Sequence, residues 1–213
     1  MILSGPEIVA TVRRTRAARD AAREAGTPWP PAATLPLLDV DPFFEERVGP
    51  NSYDVCLGPQ LVTYRLSAGK FLDPEKEHPT VAHVIPPDGM ILMPGVVYLG
   101  STVERTSCSR LVPWLDGRSS LGRLGIQIHA TAGRGDDGFG EAVPNGCPWT
   151  LEITVTHPTK LHAGMRIGQL TFFEMRGDRK PYQGRYATQD GPTPSRFWQD
   201  VEPESPLPIK GGS

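Results

Sequence analysis

The sequence predicts an all-β protein with a short helix at its N-terminus, and three observations support this class. Gly and Pro are frequent, with 23 of each among 213 residues, so many closely spaced turns are expected. Short β-prone runs recur after residue 51, each bounded by Gly, Pro or Asp. A helix signal is confined to the first 26 residues. We therefore expect one domain over residues 1–213, built as a sandwich or barrel of short strands.

The N-terminal helix is predicted within residues 1–26. Ser4 is a suitable N-cap, and Glu7 follows three residues later, where its side chain can reach back to the cap. Gly26 is a suitable stop. The remaining helix is rich in Arg and Ala. We interpret it as a solvated face with Asp20 and Glu24 as ionic partners rather than as a nucleic-acid patch.

The Pro-rich stretch at residues 27–50 is interpreted as an ordered loop. Strands are expected beyond it, and a flexible tail is expected at about 200–213, where Pro and Gly are again frequent. The predicted strands are Leu61–Tyr64, Met90–Met93, Val96–Leu99, Gly125–Ala130, Thr150–Thr156 and Leu170–Glu174.

Composition argues against several functions and locations. The formal net charge is -2, so no global field favours nucleic acid or an anionic membrane. No apolar run approaches the ~20 residues that span a bilayer, and no secretory signal is visible. The three cysteines are widely separated and odd in number, which favours a reducing cytoplasm over a disulfide framework.

Several metal and nucleotide motifs are absent from the sequence. Zinc-dependent nucleobase deaminases need His-x-Glu and Pro-Cys-x-x-Cys, and neither occurs. The five histidines have no ligand spacing, and no Walker lysine loop or Gly-x-Ser-x-Gly elbow is present. We therefore expect no zinc and no dedicated protein metal site.

Two segments in the middle of the chain contain residues suited to substrate binding and to catalysis. Arg118, Ser119, Ser120 and Arg123 place two guanidinium groups and two hydroxyls in one short stretch, which suits phosphate oxygens. Glu152 lies in an apolar, strand-like run, where an unpaired carboxylate should cost folding free energy unless it is used. Together they predict an anionic substrate bound by the first segment and acid–base chemistry at the second.

The same segments resemble a known family. GRSSLGRLG at 117–125, HATAG at 129–133, GD-x-GF at 135–139 and WTLEI at 149–153 resemble motifs of the dCTP deaminase family, within the trimeric dUTP pyrophosphatase superfamily. Further similar motifs lie at 1–4, 51–58, 163–170 and 185–196. The resemblance implies a distorted jelly-roll or β-barrel of the dUTP pyrophosphatase type. It also implies a homotrimer with shared active sites.

By this resemblance, the expected reaction is hydrolytic deamination of dCTP to dUTP and ammonia, an attack on a cyclic amidine C–N bond. Glu152 takes a proton from water and returns protons to the ring nitrogen and the leaving amine. The Ser119 hydroxyl and the backbone carbonyl of Ala132 position the water. Arg123 faces the base, often from a neighbouring subunit, and Asp136 lies beside the deoxyribose.

The resemblance also implies a set of nucleotide contacts. Gln169 and Tyr182 line the site, while Arg185 and Gln189 close a C-terminal segment over the triphosphate. Magnesium accompanies the triphosphate. The full set of expected substrate contacts is Arg118, Ser119, Ser120, Arg123, Asp136, Thr150, Leu151, Glu152, Gln169, Tyr182, Arg185, Tyr186 and Gln189.

Two alternatives stay open at this stage. The pyrophosphatases of the superfamily use the residue matching Asp136 to activate water, so dUTP hydrolysis to dUMP, alone or after deamination, is one. A nucleotide-binding regulator without turnover is the other. The C-terminal ending resembles that of the deaminases, so dUTP and ammonia are expected as main products. The stretch at 140–148 is longer than usual for the family, and it is either a hairpin extension or a change to the base pocket.

Overall fold

The computed structural model describes residues 1–29, 35–66, 71–128 and 132–200. The predicted tail lies outside these residues apart from Asp200, so its flexibility stays a prediction. The described part is mostly β, with one long N-terminal helix, and the predicted class is confirmed. Its strands are β1 (Leu37–Asp41), β2 (Tyr53–Cys56), β3 (Gln60–Tyr64), β4 (Thr80–Val84), β5 (Met90–Leu92), β6 (Tyr98–Ser109), β7 (Leu111–Gly117), β8 (Ile126–Ile128), β9 (Cys147–Val155), β10 (Thr159–Leu161) and β11 (Arg166–Glu174).

Helix α1 spans Gly5–Ala25, so it occupies most of the predicted range. Ser4 is the N-cap and accepts the backbone N–H of Glu7 at 3.4 Å. The Glu7 carboxylate accepts from the Thr11 hydroxyl at 3.3 Å, and no bond to the cap is formed. Gly26 ends the helix in the left-handed conformation, with φ of 64°. Both predicted helix boundaries are therefore confirmed.

The arginines of α1 have other partners than those expected. Arg16 and Arg19 pair with Asp39 of β1 at 2.8 and 2.5 Å. The predicted pairing with Asp20 and Glu24 is therefore wrong. The physical reason is that β1 lies against this face of the helix, and a nearly buried carboxylate attracts both guanidinium groups.

The strands form two main antiparallel sheets. The larger has the order β4-β3-β6-β9-β8, with β1 also paired to β6, and the smaller has the order β2-β11-β7. Strands β5 and β10 form a separate antiparallel pair. One cluster of buried side chains draws on α1 and both sheets, through residues such as Ile8, Leu38, Tyr53, Leu151 and Phe172. This cluster fixes β9 between β6 and β8.

The stretch at 27–50 is only partly the loop that the sequence predicts. Strand β1 pairs with β6 over its whole length, from Leu37 opposite Ser109 to Asp41 opposite Arg105. Its first four residues are all buried, because α1 packs against the same strand. A strand covered on both faces lacks the polar–apolar alternation by which a half-buried strand is found in sequence.

Residues 140–146 of the longer stretch at 140–148 form a turn seated on β6, and the last two residues of the stretch begin β9. Gly140 and Gly146 both adopt positive φ, of 78° and 74°. The Cβ atoms that alanines would add there meet the Thr106 carbonyl oxygen at 1.9 and 2.5 Å. Only glycine permits so close an approach of two backbones. Of the two alternatives, the packed hairpin extension is the one observed.

Alanine at Gly140 should therefore destabilise the protein more than alanine at Gly95. Gly95 has nearly the same φ, 80°, but no atom lies within 4 Å of its added Cβ. Gly95→Ala should cost about 1–2 kcal/mol from the backbone alone. Gly140→Ala should cost a further ~1–3 kcal/mol from overpacking. Urea unfolding of both variants measures the difference, and equal losses would contradict the seating of the turn on Thr106.

Candidate active site

Glu152 lies near the centre of β9 and faces a cavity on one side of its sheet. Side chains alternate along the strand, so Thr150 and Glu152 face a cavity while Leu151 and Ile153 are fully buried in the core. Glu152 is half-buried, and within the described residues its carboxylate has no hydrogen bond or ion pair. By contrast, the buried carboxylates of Asp54, Glu104 and Asp137 each pair with arginine. Among the described residues, Glu152 is therefore not a paired structural carboxylate.

The cavity around Glu152 has a volume of about 440 Å³, within the usual range for small-molecule sites. Strands β3 and β9, the turn at 132–139 and the segment at 182–195 enclose it. Seven residues predicted from the sequence line it: Ala132, Asp136, Thr150, Glu152, Tyr182, Tyr186 and Gln189. The others that line it in the described part of the chain are Tyr64, Val97, Leu99, Arg134, Gly135, Phe139, Trp149, Thr193 and Ser195.

The C-terminal segment is hydrogen-bonded across this cavity. The buried side chain of Gln189 donates to the Pro148 carbonyl at 2.7 Å and accepts from the Thr150 hydroxyl at 3.3 Å. Further along, the Ser195 N–H donates to the Tyr64 hydroxyl at 2.8 Å. The segment is thus attached to both β9 and β3, and it covers the pocket between the two attachments.

The charges that line the cavity are mainly negative. Asp136 is 57% exposed at its side chain and lies 3.7 Å from the Arg134 guanidinium, which makes a loose ion pair. Arg134 is the one lysine or arginine among the described residues of the lining, whereas Asp136 and Glu152 supply two carboxylates. This pocket by itself cannot balance the charge of a triphosphate.

The predicted phosphate-binding residues lie elsewhere in the same chain. Arg118 precedes a one-turn helix, α2 (Ser119–Gly122), and pairs with the buried Asp54 at 3.2 Å. Gln169 of β11 donates to the other oxygen of Asp54 at 3.1 Å. Arg118, Ser119 and Gln169 line a shallow groove beside β8 and β11 that shares no residue with the Glu152 cavity.

Four further predicted residues do not line the Glu152 cavity either. Ser120 and Arg123 are exposed, the first on α2 and the second in a groove near the end of β9. Arg185 pairs with Asp200 and also donates to the Arg196 carbonyl at 2.9 Å. Leu151 is buried in the core, so its side chain cannot reach a substrate. A single copy of the chain therefore holds the predicted site residues on separate surfaces, which include the Glu152 cavity, the groove beside β8 and β11, and the groove at Arg123.

The cysteines offer no nucleophile. Cys56, Cys108 and Cys147 are free and buried. Burial raises the pKa of each thiol, so all three stay protonated and unreactive near neutral pH. Among the described residues, His, Cys, Asp and Glu side chains nowhere gather in threes as metal ligands. No helix in the described ranges is long and apolar enough to cross a membrane.

Comparison with known proteins identifies the family. The model of the dCTP deaminase-like family matches residues 33–175, more than half of the chain. The chain belongs to the dCTP deaminase-like family. One family relative, from Leptospira biflexa, is named "dCTP deaminase, dUMP-forming" and is 41% identical over 167 residues, covering 78% of this chain and 90% of the relative. A relative from Clostridium beijerinckii with the same name is 41% identical over 164 residues, covering 76% and 90%.

Among solved structures, the 2'-deoxycytidine 5'-triphosphate deaminase from Agrobacterium tumefaciens matches with a TM-score of 0.48. It is 21% identical, and the match covers 80% of this chain and 47% of that chain.

Several residues of the pocket were not found from the sequence. Arg134 lies inside the matched passage and could have been found from its position two residues before Asp136. Tyr64 lies on β3, far from any motif, and only the pairing of β3 with β6 brings it to the pocket. The stretch at 140–148 was a candidate for reshaping the base pocket, but none of its residues lines the described cavity.

Removing the Gln189 side chain should loosen the segment that covers the pocket. Gln189→Ala deletes one buried and one partly buried hydrogen bond, with a cost of about 1–3 kcal/mol when partners are left unsatisfied. Trypsin cleavage after Arg185 should then accelerate roughly 5- to 100-fold, because cleavage follows the population of the open segment. Gln183→Ala, which changes an exposed side chain in the same segment, should leave the rate unchanged. Equal rates for both variants would contradict this role of Gln189.

Proposed function

We propose that this protein hydrolyses dCTP at the amino-bearing carbon of the base, with Glu152 as the proton carrier. The observation that carries the proposal is a half-buried carboxylate without a partner among the described residues, in a cavity of nucleotide-binding size. Water adds to C4 while Glu152 takes one of its protons and passes that proton to N3. Glu152 then takes the second proton from the new C4 hydroxyl and passes it to the amine, so that C4=O forms and the amine leaves as ammonia. Oxygen replaces nitrogen on the ring, and dUTP is the first product.

The chain itself supplies the groups for this step. Ala132 lines the same cavity, and in the proposed mechanism its backbone carbonyl accepts a hydrogen bond from the attacking water. The substrate enters as the magnesium complex of dCTP, and the ion belongs to the triphosphate rather than to a protein site. Zinc independence stays a prediction, as does a cytoplasmic location, which the buried free thiols support.

A second activity at the same pocket is also proposed. The relatives from Leptospira biflexa and Clostridium beijerinckii are named as dUMP-forming, and Asp136 lines the cavity beside Glu152. Asp136 is largely exposed and only loosely paired, so it can activate water toward phosphorus. We therefore favour hydrolysis of dUTP to dUMP and pyrophosphate after deamination, in place of dUTP as the main product.

The proposed active site is completed by a second copy of the chain. Among the described residues, the Glu152 cavity is lined by two carboxylates and one arginine, a charge balance that disfavours a polyanion, while Arg118, Ser119 and Arg123 lie on other surfaces. Bringing these residues from a neighbouring subunit supplies the missing positive charge and the Ser119 hydroxyl. A homotrimer has closed symmetry. In it, the Glu152 cavity of every subunit would contact the Arg123 surface of a neighbour.

Glu152→Gln should abolish deamination without unfolding the protein. Loss of general acid–base catalysis predicts a fall in ammonia release of about 10²- to 10⁴-fold. The free energy of unfolding should change by less than about 0.5 kcal/mol, because the carboxylate bonds to no described residue. Glu46→Gln, at an exposed glutamate, is the control and should keep full activity. A folded Glu152→Gln enzyme with most of the wild-type turnover would overturn the role, and wild-type protein without turnover would favour the regulator.

The products from dCTP should separate the two activities. Wild-type protein should release ammonia and pyrophosphate in step and form dUMP, as shown by anion-exchange separation of nucleotides. Asp136→Asn should keep ammonia release but accumulate dUTP, because it lacks the base for attack on phosphorus. Asp178→Asn, at an exposed aspartate, should behave as wild type. Accumulation of dUTP by the wild type would instead support deamination alone.

Mixing two inactive variants should restore activity if the site is shared. Glu152→Gln subunits keep the Arg123 surface, and Arg123→Gln subunits keep the Glu152 surface. Random assembly at equal amounts places both intact surfaces together in about a quarter of the sites. Co-refolded mixtures should therefore regain up to about a quarter of wild-type activity. Mixed oligomers, verified by mass spectrometry, that stay inactive would show that each chain uses its own residues.

A further inference from the structure

A buried ion-pair cluster lies behind the Glu152 pocket, at the turn that carries Asp136. The next residue, Asp137, is 5% exposed. Its carboxylate accepts the Arg110 backbone N–H at 2.6 Å and the Arg179 Nε–H at 2.8 Å. The Nη2 of Arg179 also donates to Glu141, further along the same turn. Arg179 therefore binds two carboxylates of one turn through two nitrogens.

The same cluster reaches the segment that closes the pocket. The Tyr182 N–H, three residues after Arg179, donates to the Asp137 carbonyl at 2.7 Å. The two backbones are in close contact here, because a Cβ added to Gly138 would lie 3.0 Å from the Tyr182 nitrogen. Arg179 thus holds residues 179–182 against the turn at 136–141. One of these segments places Tyr182 in the pocket and the other places Asp136 there.

The charges of the cluster make this attachment strong. Burial opposes the positive charge of Arg179, but its hydrogen bonds with Glu141 and Asp137 outweigh that effect and raise the pKa of the guanidinium above its usual value. Charge-assisted bonds of this kind are roughly twice as strong as neutral ones. Without Arg179, the buried Asp137 carboxylate would still accept the hydrogen bond from the Arg110 N–H, but it would have lost the ion pair with Arg179.

We propose that Arg179 is a positioning residue for the nucleotide site: it fixes Tyr182 and Asp136 at their places in the pocket without touching the substrate. This inference rests on the proposed function, because the bound ligand is dCTP. A fixed Tyr182 contributes equally to the binding of dCTP in its ground state and in the transition state. Loss of the attachment therefore weakens substrate binding more than it slows chemistry.

The test compares Arg179→Gln with Arg176→Gln, which changes an exposed arginine nearby. Arg179→Gln should raise the KM for dCTP about tenfold, with kcat within about twofold of wild type. Hydrogen–deuterium exchange should also be faster in the peptide that contains the Tyr182 amide. Arg176→Gln should change neither quantity. Glu141→Gln removes one of the two negative charges that hold Arg179 but keeps an acceptor oxygen, so it should give smaller changes in the same direction.

The exchange rate at Tyr182 and the KM for dCTP together show which part of the proposal fails. Unchanged exchange at Tyr182 in Arg179→Gln would overturn the attachment. Faster exchange with an unchanged KM, or a fall in kcat alone, would overturn the positioning role. If Arg179→Gln does not fold, Glu141→Gln decides by the same two measurements. If wild-type protein does not turn over dCTP, the proposed function fails, and exchange at Tyr182 still decides whether Arg179 holds that residue.

Discussion

The antiparallel pairing of β6 with β9 is the interaction on which the rest of the structure depends. Its register sets Glu152 opposite Leu99 and Cys147 opposite Thr106. The pairing is irregular between Ser101 and Arg105. There the hydroxyl of Thr102 accepts the Trp149 N–H at 2.9 Å. Because successive residues of a strand face opposite sides, a slip of one residue would bury Glu152 in the core and expose Leu151. The register therefore creates the candidate site.

The sequence predicts what is local and misses what depends on distant contacts. Glu152 was found because it is a charged residue within an apolar, alternating run, and α1 was found because Ser4 and Gly26 mark its ends. Strand β1 was missed because both of its faces are covered. Tyr64 was missed because it reaches the pocket only through the order of the strands. The sequence pattern shows the alternation of polar and apolar residues within a strand, but it does not show which strands become neighbours.

Two adjacent aspartates show how far burial changes the role of a side chain. At Asp136 the side chain is 57% exposed, while at Asp137 it is 4% exposed. Each carboxylate oxygen of Asp137 accepts a hydrogen bond, one from the Arg110 N–H and the other from Arg179. Asp137 therefore holds the turn and has no free oxygen for a ligand. Asp136 keeps its carboxylate available at the cavity. The position of the turn on β6, and with it the glycine at 140, decides which of the two faces the pocket.

The charge of the pocket bears on two proposals, proton transfer by Glu152 and a site shared between subunits. A carboxylate is an effective proton carrier only where no cation holds it in a fixed ion pair, and the described part of one chain leaves Glu152 in that state. A triphosphate, however, requires several cations. Under the proposed shared site, a second subunit would bring the charges of Arg118 and Arg123 to the pocket, while Glu152 stays unpaired among the described residues of its own chain. The proposed shared site would make this separation of residues within each chain the reason that activity requires an oligomer.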